Sequence, residues 1–99
     1  MNLKITIGNG KYAYKECSIL KCNVDKVVCL KKEGIVGDGK WVAYDVDSGL
    51  MIVKAKTKKA LVEKVNELKE KIEDIRSKDF YKNLIKIKEE FEVKEGMNT

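Results

Sequence analysis

Apolar and polar residues alternate at the start of the chain, and the alternation predicts a β-hairpin. Residues 3–7 are apolar at every second position, as in a strand with one buried face. Asn9-Gly10 follows and suits the two central positions of a type I′ turn, because both positions need positive φ. A two-residue loop then joins β-branched and aromatic side chains on one face, a favourable cross-strand combination. The pairs predicted from this loop are Ile7 with Tyr12 and Ile5 with Tyr14.

The middle of the chain predicts three more strands. Residues 27–30 form a short apolar run bounded by charge, which is typical of a central strand. Apolar stretches at 40–46 and 50–56 flank a turn at Asp47-Ser48-Gly49 and predict a second hairpin. If Ser48-Gly49 is the loop, the core-facing pairs are Val46–Met51, Tyr44–Val53 and Val42–Ala55. The opposite face would then carry Trp41 across from Lys56, Ala43 across from Lys54 and Asp45 across from Ile52.

Helical periodicity replaces the alternation after residue 56. Thr57 is a favourable N-cap, and apolar residues follow at the spacing of one helix face, which predicts a long amphipathic helix packed on the sheet. Polar residues 76–79 interrupt this stripe, and a second stripe begins about 100° away. We therefore predict a break near Ser77, capped by Ser77 or Asp79, although one helix with two faces would give the same pattern. The first stripe comprises Leu61, Val65, Leu68, Ile72 and Ile75, and the second comprises Phe80, Leu84, Ile87 and Phe91.

These elements predict a single α+β domain over residues 1–99. Residues 1–56 form its β-rich half, residues 57–92 its helical half and residues 93–99 a frayed tail. The expected architecture is a mainly antiparallel sheet of about five strands, made of two hairpins and a central strand. A long C-terminal amphipathic helix and a second, shorter helix pack on it. With 99 residues, of which 43% are hydrophobic, the chain is long enough for one core.

Several functional classes are disfavoured by composition. The chain has no histidine, which removes the commonest general base and ligand for zinc, and it shows no recognisable catalytic motif. Its three cysteines are an odd number and are expected to be reduced. No apolar run approaches the roughly 20 residues needed to span a bilayer, and the N-terminus has no signal-peptide core. We therefore expect a cytoplasmic, non-enzymatic protein with no metal, no cofactor and no membrane association.

Charge singles out the junction between the two halves. The net charge is +5, and residues 1–56 carry ten lysines against six acidic residues, whereas residues 57–99 are nearly balanced. At the junction, Lys58 and Lys59 occupy the first helical positions, where the macrodipole favours acids. A helix start with free N–H groups and nearby lysines predicts an anion or phosphate site, with Trp41 as a stacking platform. The alternative is a plain solvated surface in which lysine stems cover a buried Trp41.

Two segments, separated by a turn that ends at Gly49, carry a family resemblance. They are Gly39-Lys40-Trp41-Val42-Ala43-Tyr44-Asp45 and Lys56-Thr57-Lys58-Lys59-Ala60-Leu61. Over about residues 39–68 the chain resembles the arm-type DNA-binding domain of tyrosine recombinases. In that family a small sheet followed by a helix lays its strands in the major groove. The resemblance implies groove or phosphate contacts by Lys40, Lys54, Lys56, Lys58 and Lys59.

Three functions from different classes follow from these patterns. The leading prediction is a small binding module with an acidic partner, nucleic acid first. Its predicted contact residues are Lys40, Trp41, Lys54, Lys56, Thr57, Lys58 and Lys59. The alternative is a protein–protein interaction module, such as a phage or mobile-element accessory or inhibitor protein, that binds a protein partner or forms a homodimer. Its predicted interface is the second helical stripe, Phe80, Leu84, Ile87 and Phe91. A small enzyme or sequestering protein that holds a phosphorylated ligand at the helix start is a third possibility.

Overall fold

The computed structural model describes residues 1–8, 11–32 and 40–98, and it describes side chains for residues 1–6, 11–32 and 40–89. The described part confirms the predicted α+β class, because strands fill the first half and helices the second. The strands are β1 (Asn2–Gly8), β2 (Lys11–Glu16), β3 (Ser18–Ile19), β4 (Val27–Lys32), β5 (Lys40–Asp45) and β6 (Met51–Ala55). The helices are α1 (Lys58–Glu67), α2 (Lys69–Arg76) and α3 (Asp79–Asn98).

The strands form two antiparallel sheets, whereas the sequence predicted one sheet of about five strands. β1 and β2 pair only with each other, and the remaining strands form a four-stranded sheet in the order β3-β4-β5-β6. β4 lies inside this sheet, which confirms the central strand predicted from residues 27–30. A strand covered on both faces has no need of apolar and polar alternation, and this explains its continuous apolar run.

The centre of the four-stranded sheet is buried on both faces. On one face lie α1 and α2, and Leu61 and Val65 of α1 are fully buried there. On the other face lies the β1–β2 hairpin, which contributes the buried Ile5. The helix-side core contains Leu20, Val24, Val27, Cys29, Ala43, Ala55, Leu61, Val65 and Ile72, and the hairpin-side core contains Ile5, Cys17, Val28, Val42 and Tyr44.

The register of the first hairpin differs from the predicted one by one residue. Gly8 pairs with Lys11, as a two-residue loop requires, and the predicted turn residues Asn9-Gly10 lie outside the described residues. The register then shifts between Thr6 and Gly8. Such a shift exchanges the two faces of a strand, and Tyr14 is accordingly 56% exposed. The predicted pairs Ile7–Tyr12 and Ile5–Tyr14 are therefore wrong, and the observed pairs are Thr6–Tyr12, Ile5–Ala13 and Lys4–Tyr14.

The second hairpin is also offset from its prediction. Val42 lies opposite Lys54, one position from the expected Ala55, and the register shifts again between Ala43 and Tyr44. Met51, which was expected in the core, lies opposite the buried Tyr44 on the edge strand β6 and is 48% exposed. The predicted pairs Val46–Met51, Tyr44–Val53 and Val42–Ala55 are wrong, and so are Trp41–Lys56, Ala43–Lys54 and Asp45–Ile52. The observed pairs are Trp41–Ala55, Val42–Lys54, Ala43–Val53 and Tyr44–Met51.

The turn between β5 and β6 holds the two sheets together. Gly49 adopts φ +71°, a backbone conformation that favours glycine, and its carbonyl accepts a hydrogen bond of 2.9 Å from the Thr6 N–H of β1. A Cβ atom on Gly49 would lie 2.6 Å from the carbonyl oxygen of Lys4. Only glycine therefore allows β1 to approach this turn so closely.

The start of the helical half agrees with the sequence. Thr57 is the N-cap of α1, and its hydroxyl oxygen accepts a hydrogen bond of 3.1 Å from the Ala60 N–H. The first apolar stripe packs on the sheet through most of its length, but its last member, Ile75, is 42% exposed. The stripe therefore covers the sheet along α1 and the first part of α2.

The helical half contains two breaks. α2 ends at Arg76 and α3 begins at Asp79, which confirms the break predicted near Ser77. Ser77 is the C-cap of α2, and its hydroxyl donates to the Asp74 carbonyl at 2.6 Å. The second break, at Leu68 between α1 and α2, was not predicted. α3 continues to Asn98, beyond the predicted end of the helical half at residue 92.

Candidate functional site

Lysines from two separate elements meet beside the start of α1. Lys58 and Lys59 form the first turn of α1, and Lys21 follows β3. All three line one surface depression of about 490 Å³, which we call the lysine depression. Its other lining residues are Ile19, Leu20 and Val62, so no acidic side chain lines it. Lys21 was not among the predicted site residues, because only the packing of β3 beside α1 brings it there.

The positive charge of this helix start is not offset locally. The first turn of α1 contains no acidic residue. The N–H groups of the first helical residues lack an intrahelical acceptor, and Thr57 uses its hydroxyl to cap only Ala60. Across the described residues, no ion pair involves Lys56, Lys58 or Lys59, and all three are exposed. The backbone dipoles and the lysines therefore both present positive charge to the solvent.

Trp41 lies against the core rather than free on the surface. Its side chain is partly buried and packs on the helix-side core. The Lys58 ammonium lies 5.7 Å from the centre of its ring, within the range of a cation–π contact. This arrangement matches the alternative in which a lysine stem covers the tryptophan. Trp41 thus contacts Lys58 and helps to position it. The geometry does not favour Trp41 as a stacking platform.

The remaining predicted lysines are spread over the molecule. Lys54 lies opposite Val42 in the sheet, so it is on the face opposite Trp41, and the prediction that the two share a face is wrong. Lys56 immediately precedes the cap of α1 and is exposed. Lys40 lies directly opposite Lys32 on β4. Lys56 therefore adjoins the lysine depression only through its position in the chain, two residues before Lys58. Lys40 and Lys54 do not line the depression.

The second predicted interface lies on α3 and is largely open to solvent. Phe80 and Ile87 are each 51% exposed, and Leu84 is partly buried. Phe91 also lies on α3, but its side chain is outside the described residues. The side of α3 that touches the body instead carries the buried Tyr81. Phe80, Leu84 and Ile87, the members of the stripe whose side chains are described, therefore lie outside both core clusters.

A buried carboxylate connects α2 and α3 to the sheet, and sequence reasoning missed it. Asp45, at the end of β5, is 5% exposed. Its Oδ1 accepts hydrogen bonds from Arg76 Nε at 3.1 Å and Nη2 at 2.8 Å. Its Oδ2 accepts from the Tyr81 hydroxyl at 2.5 Å and from the Ser48 N–H and hydroxyl at 3.0 and 2.7 Å. These residues are up to 36 positions apart, so no local pattern could have predicted the cluster.

Hydrogen bonding keeps this carboxylate ionised in spite of its burial. Burial alone would raise the pKa of Asp45, but the hydrogen bonds from Tyr81, Ser48 and Arg76 outweigh it and lower the pKa. Burial and the hydrogen bond to Asp45 raise the pKa of Tyr81. Both carboxylate oxygens are thus fully engaged by protein donors. The cluster orders the helices on the sheet and leaves no carboxylate oxygen open for general acid or base chemistry.

The three cysteines carry free thiols. Cys17 and Cys29 are buried, and burial raises the pKa of both thiols. Among the described residues, no group of three or more cysteine, aspartate or glutamate side chains is placed to hold a metal ion. None of the helices in the described part has the length and apolar character needed to cross a membrane.

The architecture that emerges is a four-stranded antiparallel sheet between a β-hairpin and a helical layer, with a lysine depression at one helix start. Comparison with protein-family models, with curated proteins and with solved structures gives no match to this chain. The resemblance to the recombinase arm-type domain consequently stays a prediction. The class that the structure defines is a small two-sheet α+β domain.

Proposed function

We propose that this protein is a nucleic-acid-binding module that holds phosphates at the lysine depression. The observation that carries the proposal is the convergence of Lys21, Lys58 and Lys59 on one depression that no acidic side chain lines. Two of these lysines sit on a helix start whose dipole adds to their charge. The arrangement raises the local concentration of anions and lowers the cost of holding a phosphate there.

The chemistry of the surroundings favours a nucleic acid over a lone small anion. Ile19 and Val62 also line the depression, and Ile19 is 64% exposed. Sugars and base faces can pack against such apolar atoms while the lysines bind the phosphates. Lys56 extends the positive surface along the chain. Lysines beside apolar side chains support binding through phosphates, which is independent of the base sequence.

The decisive experiment is a salt titration of binding to labelled duplex and single-stranded DNA and RNA, followed by fluorescence anisotropy. A protein that neutralises Z phosphates loses affinity with a log–log salt slope of about −0.9Z on duplex DNA. With Lys21, Lys58 and Lys59 engaged, we expect a slope of about −3. The triple change Lys21→Glu, Lys58→Glu and Lys59→Glu should abolish binding at low salt.

A matched control separates this site from general basicity. Lys11, Lys15 and Lys69 are also exposed, and changing all three to glutamate alters the net charge by the same amount. The control should retain most of the wild-type affinity, because none of these lysines lines the depression. Undetectable binding by the wild type at about 50 mM salt, or equal loss in both triple variants, would contradict the proposal.

A further inference from the structure

A second surface depression adjoins the lysine depression. Ile19, Leu20 and Lys21, at the end of β3 and just after it, line both of them. The second depression also has a volume of about 490 Å³, and it extends from these three shared residues to Val28 of β4 and to Val46. We call it the apolar depression. A ligand that lies across the three shared residues contacts both depressions at once.

The lining of the apolar depression combines buried apolar side chains with exposed charged ones. Its buried apolar residues are Leu20, Val24, Val27 and Val28. Its charged residues are Lys21, Asp25 and Lys26, and all three are exposed. A nucleobase has the same division, because its faces are apolar and its edges carry hydrogen-bonding groups. A base face packed on the valines therefore leaves the base edges among charged and solvated groups, whereas an acyl chain has no polar edge to place there.

Charge distinguishes the two depressions. Asp25 lines the apolar depression and not the lysine depression, and its Oδ1 accepts a hydrogen bond of 3.0 Å from Arg76 Nη1. Lys26 Nζ lies 3.4 Å from Asp47 Oδ2, so these two charges have partners within the protein. No ion pair among the described residues involves Lys21, which lies between the depressions. A phosphate is therefore attracted to the lysine depression, and an uncharged part of the same ligand is directed to the apolar depression.

This division favours one form of nucleic acid. In a duplex the bases are stacked and paired, so a base reaches a depression on a protein only when it is flipped out at the cost of unstacking. In a single strand, unstacked bases lie beside the phosphates. We propose that the protein binds single-stranded nucleic acid, with phosphates in the lysine depression and one unpaired base in the apolar depression. The inference rests on the proposed function and adds the class of ligand to it.

The first test compares three ligands of the wild-type protein by fluorescence anisotropy at about 50 mM salt. They are a thymidine single strand of about ten nucleotides, an abasic strand of the same length, and the thymidine strand paired with its complement. The abasic strand keeps every phosphate but has no base for the apolar depression, so it should bind about tenfold more weakly than the thymidine strand. The duplex has the higher charge density and should nevertheless bind more weakly than the thymidine strand.

The second test removes apolar surface without changing charge. Ile19 lines both depressions and is 64% exposed, so Ile19→Ser should leave folding intact, as circular dichroism checks. The variant should bind the thymidine strand about threefold or more weakly than the wild type does, and the abasic strand almost as well. Ile87→Ser makes the same chemical change on α3, where the side chain is 51% exposed and lines neither depression. Its affinity for all three ligands should equal that of the wild type.

Methyl NMR of the wild-type protein locates the base without any variant. Val62 lines the lysine depression, and Val46 lines the apolar depression. The Val62 methyl resonances should shift on addition of either the thymidine or the abasic strand, because both supply phosphates. The Val46 methyl resonances should shift with the thymidine strand alone. The Ile87 methyl resonances are the control and should stay unchanged.

The outcomes separate this inference from the proposed function. Equal affinity for the thymidine and abasic strands, or tighter binding of the duplex, overturns the inference and leaves phosphate binding at the lysine depression in place. Absence of binding to all three ligands overturns the proposed function and the inference together. Val46 methyl resonances that shift with phosphatidylglycerol vesicles but not with the thymidine strand would overturn the inference in favour of a lipid chain.

Discussion

Arg76 at the end of α2 donates two hydrogen bonds to the carboxylate of Asp45 at the end of β5, at 2.8 and 3.1 Å. The same guanidinium donates to the side chain and the carbonyl of Asp25, at 3.0 and 2.9 Å. Arg76 therefore joins the helical layer to the four-stranded sheet and to the segment before β4. A planar guanidinium with several donors is suited to such a junction, because it satisfies separate acceptors from one position.

Removing this guanidinium should destabilise the protein. Arg76→Ala leaves the buried Asp45 carboxylate without its cationic partner, and breaking a buried pair in this way costs about 3 kcal/mol or more. Arg76→Lys keeps the charge but loses the bidentate hydrogen bonding to Asp45, so its loss of stability should be smaller. Urea unfolding followed by circular dichroism measures both. The exposed Lys69→Ala on the same helix is the control, and an equal loss in that variant would argue against a special role for Arg76.

The Asp45 carboxylate should make stability depend on pH in the acid range. Its pKa is lowered in the folded protein, so its stabilisation is present above the pKa of the unfolded chain, about 3.9, and is lost as the pH falls through the lower folded value. The free energy of unfolding, measured from about pH 6 to pH 2, should fall less steeply in Asp45→Asn than in the wild type. Parallel curves for the two proteins would show that Asp45 titrates normally.

Replacing Gly49 should separate the two sheets. Gly49→Ala combines a left-handed backbone conformation with a Cβ atom 2.6 Å from the Lys4 carbonyl oxygen, and we expect a cost of about 2 kcal/mol or more. Hydrogen exchange should report the loss at the Thr6 N–H, which bonds to Gly49. Ala13→Gly, on the partner strand of β1, serves as a control for general weakening of the hairpin. Unchanged protection of Thr6 in Gly49→Ala would contradict this account.

The contact between Lys58 and Trp41 gives an optical readout of the lysine depression. Trp41 is the only tryptophan in the chain. Lys58→Gln removes the cation over its ring and should change the fluorescence intensity or emission maximum, with a stability cost of about 0.5 kcal/mol. Lys59→Gln changes the same charge at the neighbouring position and should leave the emission unchanged. Identical spectra for the wild type and both variants would mean that Lys58 does not lie over the ring in solution.

Local patterns predicted the elements better than they predicted strand pairing. The alternation in residues 3–7 and the cap at Thr57 depend on neighbouring residues alone, and both elements form where expected. Pairing depends on a single extra residue in a strand, and no local signal marks the shift between Ala43 and Tyr44. Beyond that shift the faces of β6 are exchanged, so Lys54 left the predicted site. The candidate site changed composition for this reason.

The sequence by itself determined the α+β class, the order of strands before helices, the start of α1 at Thr57 and the break near Ser77. These features arise from side-chain periodicity and backbone capping within a few residues. Only the tertiary structure decided that the sheet is covered on both faces, that Lys21 joins Lys58 and Lys59, and that Asp45 meets Arg76 and Tyr81. Those relationships join residues 31 to 38 positions apart, and they form because burying both faces of one sheet brings distant segments together.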